Sequence, residues 1–362
     1  MKAVKYLAKS FILIVGFVII VLLILQVVTM FTAKTPPILD KEGQIIENSI
    51  SEMMMVELNG RKQWITIRGK NVDNPVILFL AGGPGGSQLA ATRRLLRDLE
   101  DDFVVVNWDQ PGAAKSYNSR MIQDLTPGDY LKDGRALTQF LKQQLNKDQI
   151  YMVGESWGSF LGIMMANASP EDYAALITTG QMVDFDATEV RNYKTALSYA
   201  KENDTDLFKT LKEQGPPPYH GKDMIWKASK SLMTLTKIMS NNPDIHGPGY
   251  DTFTDVMGPE YTLFDKVNYF RGMITTFNTV YPQLYDYDVR TMYPELKIPV
   301  VFVVGKHDLN APQDFSKDYF EKLKAPEKEY IVFEHSGHSP WVDESMRFME
   351  LIRDVADRFP AK

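Results

Sequence analysis

Three residues far apart in this 362-residue chain are of the types that nucleophilic hydrolysis needs: Ser156, Asp308 and His338. A serine hydroxyl is a weak nucleophile until a base removes its proton and an acid orients that base. Ser156 lies in Gly154-Glu155-Ser156-Trp157-Gly158, with glycine two positions to either side. A side chain at either place would collide with neighbouring backbone in a tight turn, so the glycines allow a strained turn that presents the hydroxyl. The chain has five histidines, at 220, 246, 307, 335 and 338. A base is expected on a loop after a late strand, which leaves His335 and His338. His338 is favoured, because Gly337 lets the backbone turn sharply and Ser339-Pro340 opens the next helix. His335 reads as a packed or loop-bonding histidine. Asp308 closes a clean apolar run and is the expected orienting acid, in competition with Asp184 and Asp186, for which a helix cap is the plainer role. Two backbone N–H groups should hold the developing oxyanion: Trp157, directly after the nucleophile, and Gly83 in Ala81-Gly82-Gly83-Pro84-Gly85-Gly86-Ser87. A phosphate cradle at that glycine-rich stretch is disfavoured, since no Gly-Lys-Ser/Thr follows it.

These residues need a frame that brings their loops together. Short apolar runs at 75–80, 103–106, 150–153, 174–178, 298–304 and 330–333 read as buried strands. Residues 53–58 and 63–68 read as a hairpin turned by Asn59-Gly60. Helical spacing at 133–145, 159–166 and 347–359 alternates with the strands, which predicts a mostly parallel sheet covered on both faces. In such a sheet the loops at the carboxyl ends of the strands converge on one crevice. Ser156, Asp308 and His338 each follow a predicted strand. From 182 to 293 the strand pattern stops and helical patterns take over, so this stretch is expected to be a helical lid between the sixth and seventh core strands. The expected division is a first core part at 53–181, a cap at 182–293 and a second core part at 294–362. No internal repeat is present.

Composition narrows the class. Net charge is −6 without a basic block, which disfavours nucleic acid as a partner, and 44% of residues are hydrophobic, as in a globular protein with a sizeable core. With no cysteine there can be no thiol nucleophile, disulfide frame or lipoprotein anchor. Residues 11–31 contain no charge, and only Gln26 and Thr29 are polar. About 20 helical residues cross a hydrocarbon core of roughly 30 Å, so a retained membrane anchor is expected, with a cleaved signal peptide as its rival. Lys2, Lys5 and Lys9 before the span, and Lys34 and Lys41 after it, lean towards a short cytoplasmic stretch at 1–10 and a body outside the cell membrane. Residues 32–52, with paired prolines and mixed charge, read as a stalk. The hydrolytic water needs only the histidine, so neither cofactor nor metal is called for.

Gly82-Gly83-Pro84-Gly85, Trp108-Asp109-Gln110-Pro111-Gly112, the Ser156 pentapeptide with Ser159, Gly305-Lys306-His307-Asp308 and Ser336-Gly337-His338-Ser339 fall in an order that resembles the prolyl iminopeptidase group of α/β-hydrolases. The resemblance spans about residues 55–360. It implies an α/β-hydrolase fold, an eight-stranded sheet with an inserted helical cap, and a serine peptidase that removes an amino-terminal residue, often proline, from short peptides. Three positions depart from the family pattern: Ala81 stands where histidine is usual, Pro111 in place of an arginine whose ion pair is lost, and Glu155 where glycine is typical. The family's cap glutamates hold the substrate's free amine. Glu189 is a candidate for that role, although a solvated helix face is its plainer reading, and Glu155 is a second candidate substrate contact. A carboxylesterase or amidase is the runner-up activity. A ligand-binding receptor on the same fold is the alternative from another class. Serine at the elbow argues against dehalogenase and epoxide-hydrolase chemistry, which use a carboxylate there.

Overall fold

A computed structural model describes residues 2–119, 121–247 and 249–362, the side chains of residues 2–5 and 8 excepted. Lys2 and Lys5, counted above towards orientation, therefore have side chains outside the described set, and Pro248 of the expected cap lies outside it altogether. Eight strands form one sheet: β1 (Ile50–Leu58), β2 (Arg61–Gly69), β3 (Val76–Leu80), β4 (Val104–Asp109), β5 (Ile150–Glu155), β6 (Tyr173–Thr179), β7 (Val300–Gly305) and β8 (Lys328–Phe333). Their order is β1-β2-β4-β3-β5-β6-β7-β8. β2 is antiparallel to both β1 and β4, and every other pair is parallel. Asn59 and Gly60 both take positive φ, 50° and 76°, as a two-residue hairpin turn requires.

β3 and β7 are apolar throughout because both their faces are covered, whereas β1, β2 and β8 carry charged residues such as Glu52, Lys62 and Lys328. Along β3, Val76, Leu78 and Leu80 enter one hydrophobic cluster while Ile77 and Phe79 enter another. Among the described residues there are thirteen α-helices: α1 (Lys2–Thr32), α2 (Leu89–Leu95), α3 (Pro127–Gln144), α4 (Trp157–Ala168), α5 (Phe185–Asn203), α6 (Thr205–Gln214), α7 (Met224–Ser240), α8 (Thr252–Val256), α9 (Leu263–Val280), α10 (Val289–Met292), α11 (Gln313–Lys322), α12 (Pro340–Asp343) and α13 (Ser345–Arg358). Trp157, Phe160 and Met164 of α4 and Leu137 and Leu141 of α3 fill the first cluster. Phe348, Ile352 and Val355 of α13, with Ala91 of α2, fill the second. Helices α5 to α10 all lie between β6 and β7.

One expectation needs correcting. The segment at 32–52 is not a free stalk: Thr35 and Ile38 are buried, and the Arg68 guanidinium donates to the Thr35 hydroxyl at 2.7 Å and to the Pro36 carbonyl. Arg68 also pairs with Glu100 at 2.7 Å, so the segment is packed onto the first strands, and β1 begins at Ile50. Prolines and mixed charge hid this because they carry no periodicity that marks a buried face.

Candidate active site

β3, β5, β6, β7 and β8 are parallel neighbours, so the loops leaving their carboxyl ends share one rim of the sheet. β5 ends at Glu155, and Ser156 makes the turn into α4 with φ 53° and ψ −119°. For a residue bearing a Cβ this is a strained conformation, of the kind held only where the surroundings over-determine it. The flanking glycines supply that constraint. A Cβ on Gly158 would overlap the Leu80 carbonyl oxygen, and one on Gly154 would overlap the carbonyl of Gly158. The Ser156 amide donates to the Thr179 carbonyl at 2.9 Å, tying the elbow to the end of β6.

Asp308 follows β7 and His338 follows β8. The His338 Nδ1 lies 2.9 Å and 3.1 Å from the two Asp308 carboxylate oxygens. One of those oxygens also accepts from the Asn310 and Ala311 amides at 2.8 Å and 3.0 Å, which fixes the carboxylate in place. With Nδ1–H donated to Asp308, Nε2 is left as the basic nitrogen. Burial alone would push the ring's pKa down. The carboxylates of Asp308, Glu155 and Asp343 outweigh burial and hold the pKa at about 8. The ring lies against Gly180, directly after β6: a Cβ there would come within 2.7 Å of Cε1 and 3.0 Å of Nδ1. Thr179 thus fixes the Ser156 amide and Gly180 makes room for the imidazole, so the serine and the histidine are placed by two consecutive residues. Among the described residues the Ser156 hydroxyl makes no hydrogen bond to the His338 ring. In unliganded enzymes this contact is commonly long and tightens only around a substrate.

The loop after β3 passes beside the elbow, close enough that a Cβ on Gly82 would sit 3.5 Å from the Ser156 Cβ. Gly83 has φ 134°, and a Cβ there would meet the amide nitrogens of Gly85 and Gly86 at 2.7 Å. Trp157 is the first residue of α4, so its N–H has no acceptor within the helix. Its indole donates to the Gln110 side chain at 2.9 Å, and Gln110 in turn donates to the Ala81 carbonyl at 3.2 Å, linking Trp157 to the start of the loop that carries Gly83.

The competing residues lie elsewhere. Asp184 caps α5 through the Ala187 amide and pairs with Arg290 at 2.7 Å. His335 stacks on His246 at 3.9 Å, and its Nδ1 lies 3.1 Å from the Asp244 carbonyl. Asp109 accepts from the Ser87 hydroxyl and the Lys115 amide, and burial pushes its pKa up to about 6.

The two glutamates differ from their sequence reading. Glu155 is buried, and its carboxylate accepts from the Tyr250 hydroxyl at 2.7 Å and 2.8 Å and from the Ser339 hydroxyl. These bonds make Glu155 a brace between the elbow, the His338 loop and the segment before α8. Glu189 is not on a solvated face: it is buried in α5 and accepts from the Tyr281 hydroxyl at 2.9 Å, and burial pushes its pKa up to about 7. Gly180, Tyr250 and Asp343 went unnoticed in the sequence. A positive-φ glycine after a strand is a detectable signal, whereas a tyrosine 95 residues from its carboxylate partner leaves none. Among the described residues no cluster of three or more His, Asp or Glu side chains is arranged to hold a metal ion.

A sequence profile for the alpha/beta hydrolase fold matches residues 75–217. Over 305 residues the chain is 30% identical to a protein of Bacillus subtilis named as a probable aminopeptidase, YbaC, covering 83% of this chain and 95% of that one. It is 24% identical over 292 residues to a proline iminopeptidase of Heyndrickxia coagulans, covering 77% and 89%. The crystal structure of a proline iminopeptidase from Mycobacterium smegmatis superposes with a TM-score of 0.63 over 85% of this chain and 98% of that one, at 16% identity.

Proposed function

Since the chain belongs to the α/β-hydrolase family and shares most of its length with aminopeptidase-like members, we propose that it is a serine hydrolase that cleaves the amino-terminal residue from short peptides through an acyl-enzyme. Ser156 Oγ attacks the scissile carbonyl as His338 Nε2 takes its proton. Asp308 keeps Nδ1–H in place and stabilises the imidazolium. The oxyanion lies against the Trp157 and Gly83 amides, each worth on the order of 3 kcal/mol in the transition state. As the tetrahedral intermediate collapses, the C–N bond breaks and His338 hands its proton to the leaving amine. Water then attacks the ester by the same route in reverse, releasing the acid and restoring Ser156.

The observation that carries this reading is the pairing of a strained Ser156 elbow with an imidazole held by Asp308 at 2.9 Å on the same rim of the sheet. Residues 182–293 are read as a cap over that rim. Within it, Glu189 is the candidate for the substrate's amine, supported by a buried carboxylate in α5 whose pKa no neighbouring cation lowers. The apolar helix α1 is read as a retained anchor that holds the catalytic body at the outer face of the cell membrane. In its favour stands Lys9–Thr32, a helical stretch whose most apolar 18 residues have a mean hydropathy of 3.4, none of them buried in the protein.

A panel of aminoacyl arylamides, proline and alanine amides included, set against short-chain aryl esters tests the activity. Arylamide turnover that Ser156→Ala lowers by about 10⁶ is the expected result. Turnover of esters alone would move the assignment to a carboxylesterase, and ligand binding without turnover to a receptor.

A further inference from the structure

Helix α9 carries its polarity the wrong way round for a helix facing water. Its buried stripe is Asn268, Gly272, Thr276 and Val280. Its outward row is Phe264, Val267, Phe270 and Met273, which are 49%, 51%, 50% and 44% exposed. A surface helix of a water-soluble domain turns its apolar side inward. Here the inward side is small and polar because α9 lies directly on the backbone of the core: a Cβ on Gly85 would sit 2.5 Å from the Gly272 carbonyl oxygen.

The same helix is bound to the apolar amino-terminal helix. Gln26 and Thr29, the two polar residues of the charge-free stretch 11–31, accept from the first amides of α9: Gln26 from Phe264 at 2.9 Å and Thr29 from Leu263 at 3.1 Å. Just beyond the span, the Lys34 amide donates to the Pro259 carbonyl at 3.0 Å. These bonds fix the depth of the first turn of α9. Gln26 and Thr29 precede Thr32, the end of the apolar stretch, by six and three residues, or about 9 Å and 4.5 Å of helix. Helices lying in a membrane interface bury their apolar side by roughly 5–10 Å, the same range.

We propose that the outward row of α9 is a membrane-contact surface, seated in the outer interface of the bilayer beside the α1 anchor. The occupant is lipid, because the row is continuous with a helix whose own surface is apolar and unburied, and the first turn of α9 sits at the depth of that helix's last turns. Among the exposed residues of α9 the charged one is Arg271, whose guanidinium lies 4.4 Å from the centre of the Tyr117 ring and donates to Asn268 at 3.1 Å. The helix that meets lipid is also the one resting on the glycine loop after β3, so membrane contact holds the cap over the active-site rim from outside. This inference rests on α1 being a retained anchor.

The chain has no cysteine, so single-cysteine variants of the full-length protein can be labelled at one place each. Val21→Cys in α1, Phe270→Cys in α9 and Lys209→Cys on the exposed side of α6 would carry an environment-sensitive nitrobenzoxadiazole dye. They would be reconstituted in vesicles of phosphatidylcholine with a minority of phosphatidylglycerol, with and without doxyl-labelled lipid. Quenching at 21 and 270 at least twofold greater than at 209 is the expected result. Quenching at 21 with 270 no different from 209 overturns the inference and leaves the anchor standing. No quenching at 21 removes the anchor, and the inference with it. A dye at 270 that is shielded without doxyl quenching, in proportion to protein concentration, assigns the row to a second copy of the chain and overturns the lipid assignment.

Discussion

Gly180→Ala perturbs the proposed base without replacing any group that reacts. A Cβ at this position would lie 2.7 Å from His338 Cε1, against an ordinary contact of 3.4 Å or more, so the ring must retreat by about 0.7 Å. Its Nδ1, 3.0 Å from the same point, sits on the side held by Asp308, so the retreat also disturbs the hydrogen bond that orients the ring. A misplacement of about 1 Å in a catalytic group costs on the order of a hundredfold in rate. The expected loss in kcat is therefore 10- to 100-fold, with KM little changed. Gly180 also has φ 56°, and alanine there adds roughly 1–2 kcal/mol of backbone strain. Gly215→Ala separates the two effects, because Gly215 has φ 74° but open space where its Cβ would go. Initial rates on an arylamide, with thermal melts of both variants, make the assay. Both variants should lose stability, and only Gly180→Ala should lose rate. A Gly180→Ala enzyme within threefold of wild type, or a Gly215→Ala enzyme slowed as much, would refute the reasoning.

Other outcomes follow from the same geometry. kcat/KM should rise with pH through about 8 as the His338 imidazolium loses its proton, and Glu155→Gln should move that limb to lower pH by removing one of the carboxylates that hold the proton on; a pH–rate profile reads both. A pKa raised from 6.5 to about 8 in the folded state adds stability that is full below pH 6.5 and is lost as pH rises through 8, on the order of 2 kcal/mol. Asp109 and Glu189, raised to about 6 and about 7, contribute with the same sign at lower pH, so the urea midpoint should fall steadily from pH 5 to pH 9. Tyr250→Phe leaves the buried Glu155 carboxylate with the Ser339 hydroxyl as its remaining partner and should cost about 1–3 kcal/mol of stability, measured by denaturant unfolding. Gly158→Ala should fail to accumulate as folded protein, because its methyl group has to displace the β3 carbonyl that packs against α4; soluble yield and circular dichroism check this.

Much of the architecture was legible because strands buried on both faces must be continuously apolar, as Val76–Leu80 and Val300–Gly305 are, and such runs stand out against the helices between them. The Ser156 elbow was legible for a steric reason, since glycine at 154 and 158 is the mark of backbone packed against backbone. Asp308 and His338 could be singled out by chain order and by their places after strands, and the structure sets them 2.9 Å apart. What stayed hidden depends on contacts between distant positions. The carboxylate of Glu155 meets a hydroxyl 95 residues away and that of Glu189 one 92 residues away, so neither burial has a local signature. Thr35 and Ile38 were hidden by flanking prolines. The residues Phe264, Val267, Phe270 and Met273 are of the types that fill a core, and only the position of α9 reveals that they face outward.

Treating the full-length protein with a fluorophosphonate and mapping the adduct by peptide mass spectrometry shows whether Ser156 is the nucleophile. One stoichiometric adduct on Ser156, absent from Ser156→Ala, is the expected result. A preparation that turns over its substrate while Ser156 stays unmodified, or that carries the adduct on another residue, would contradict it.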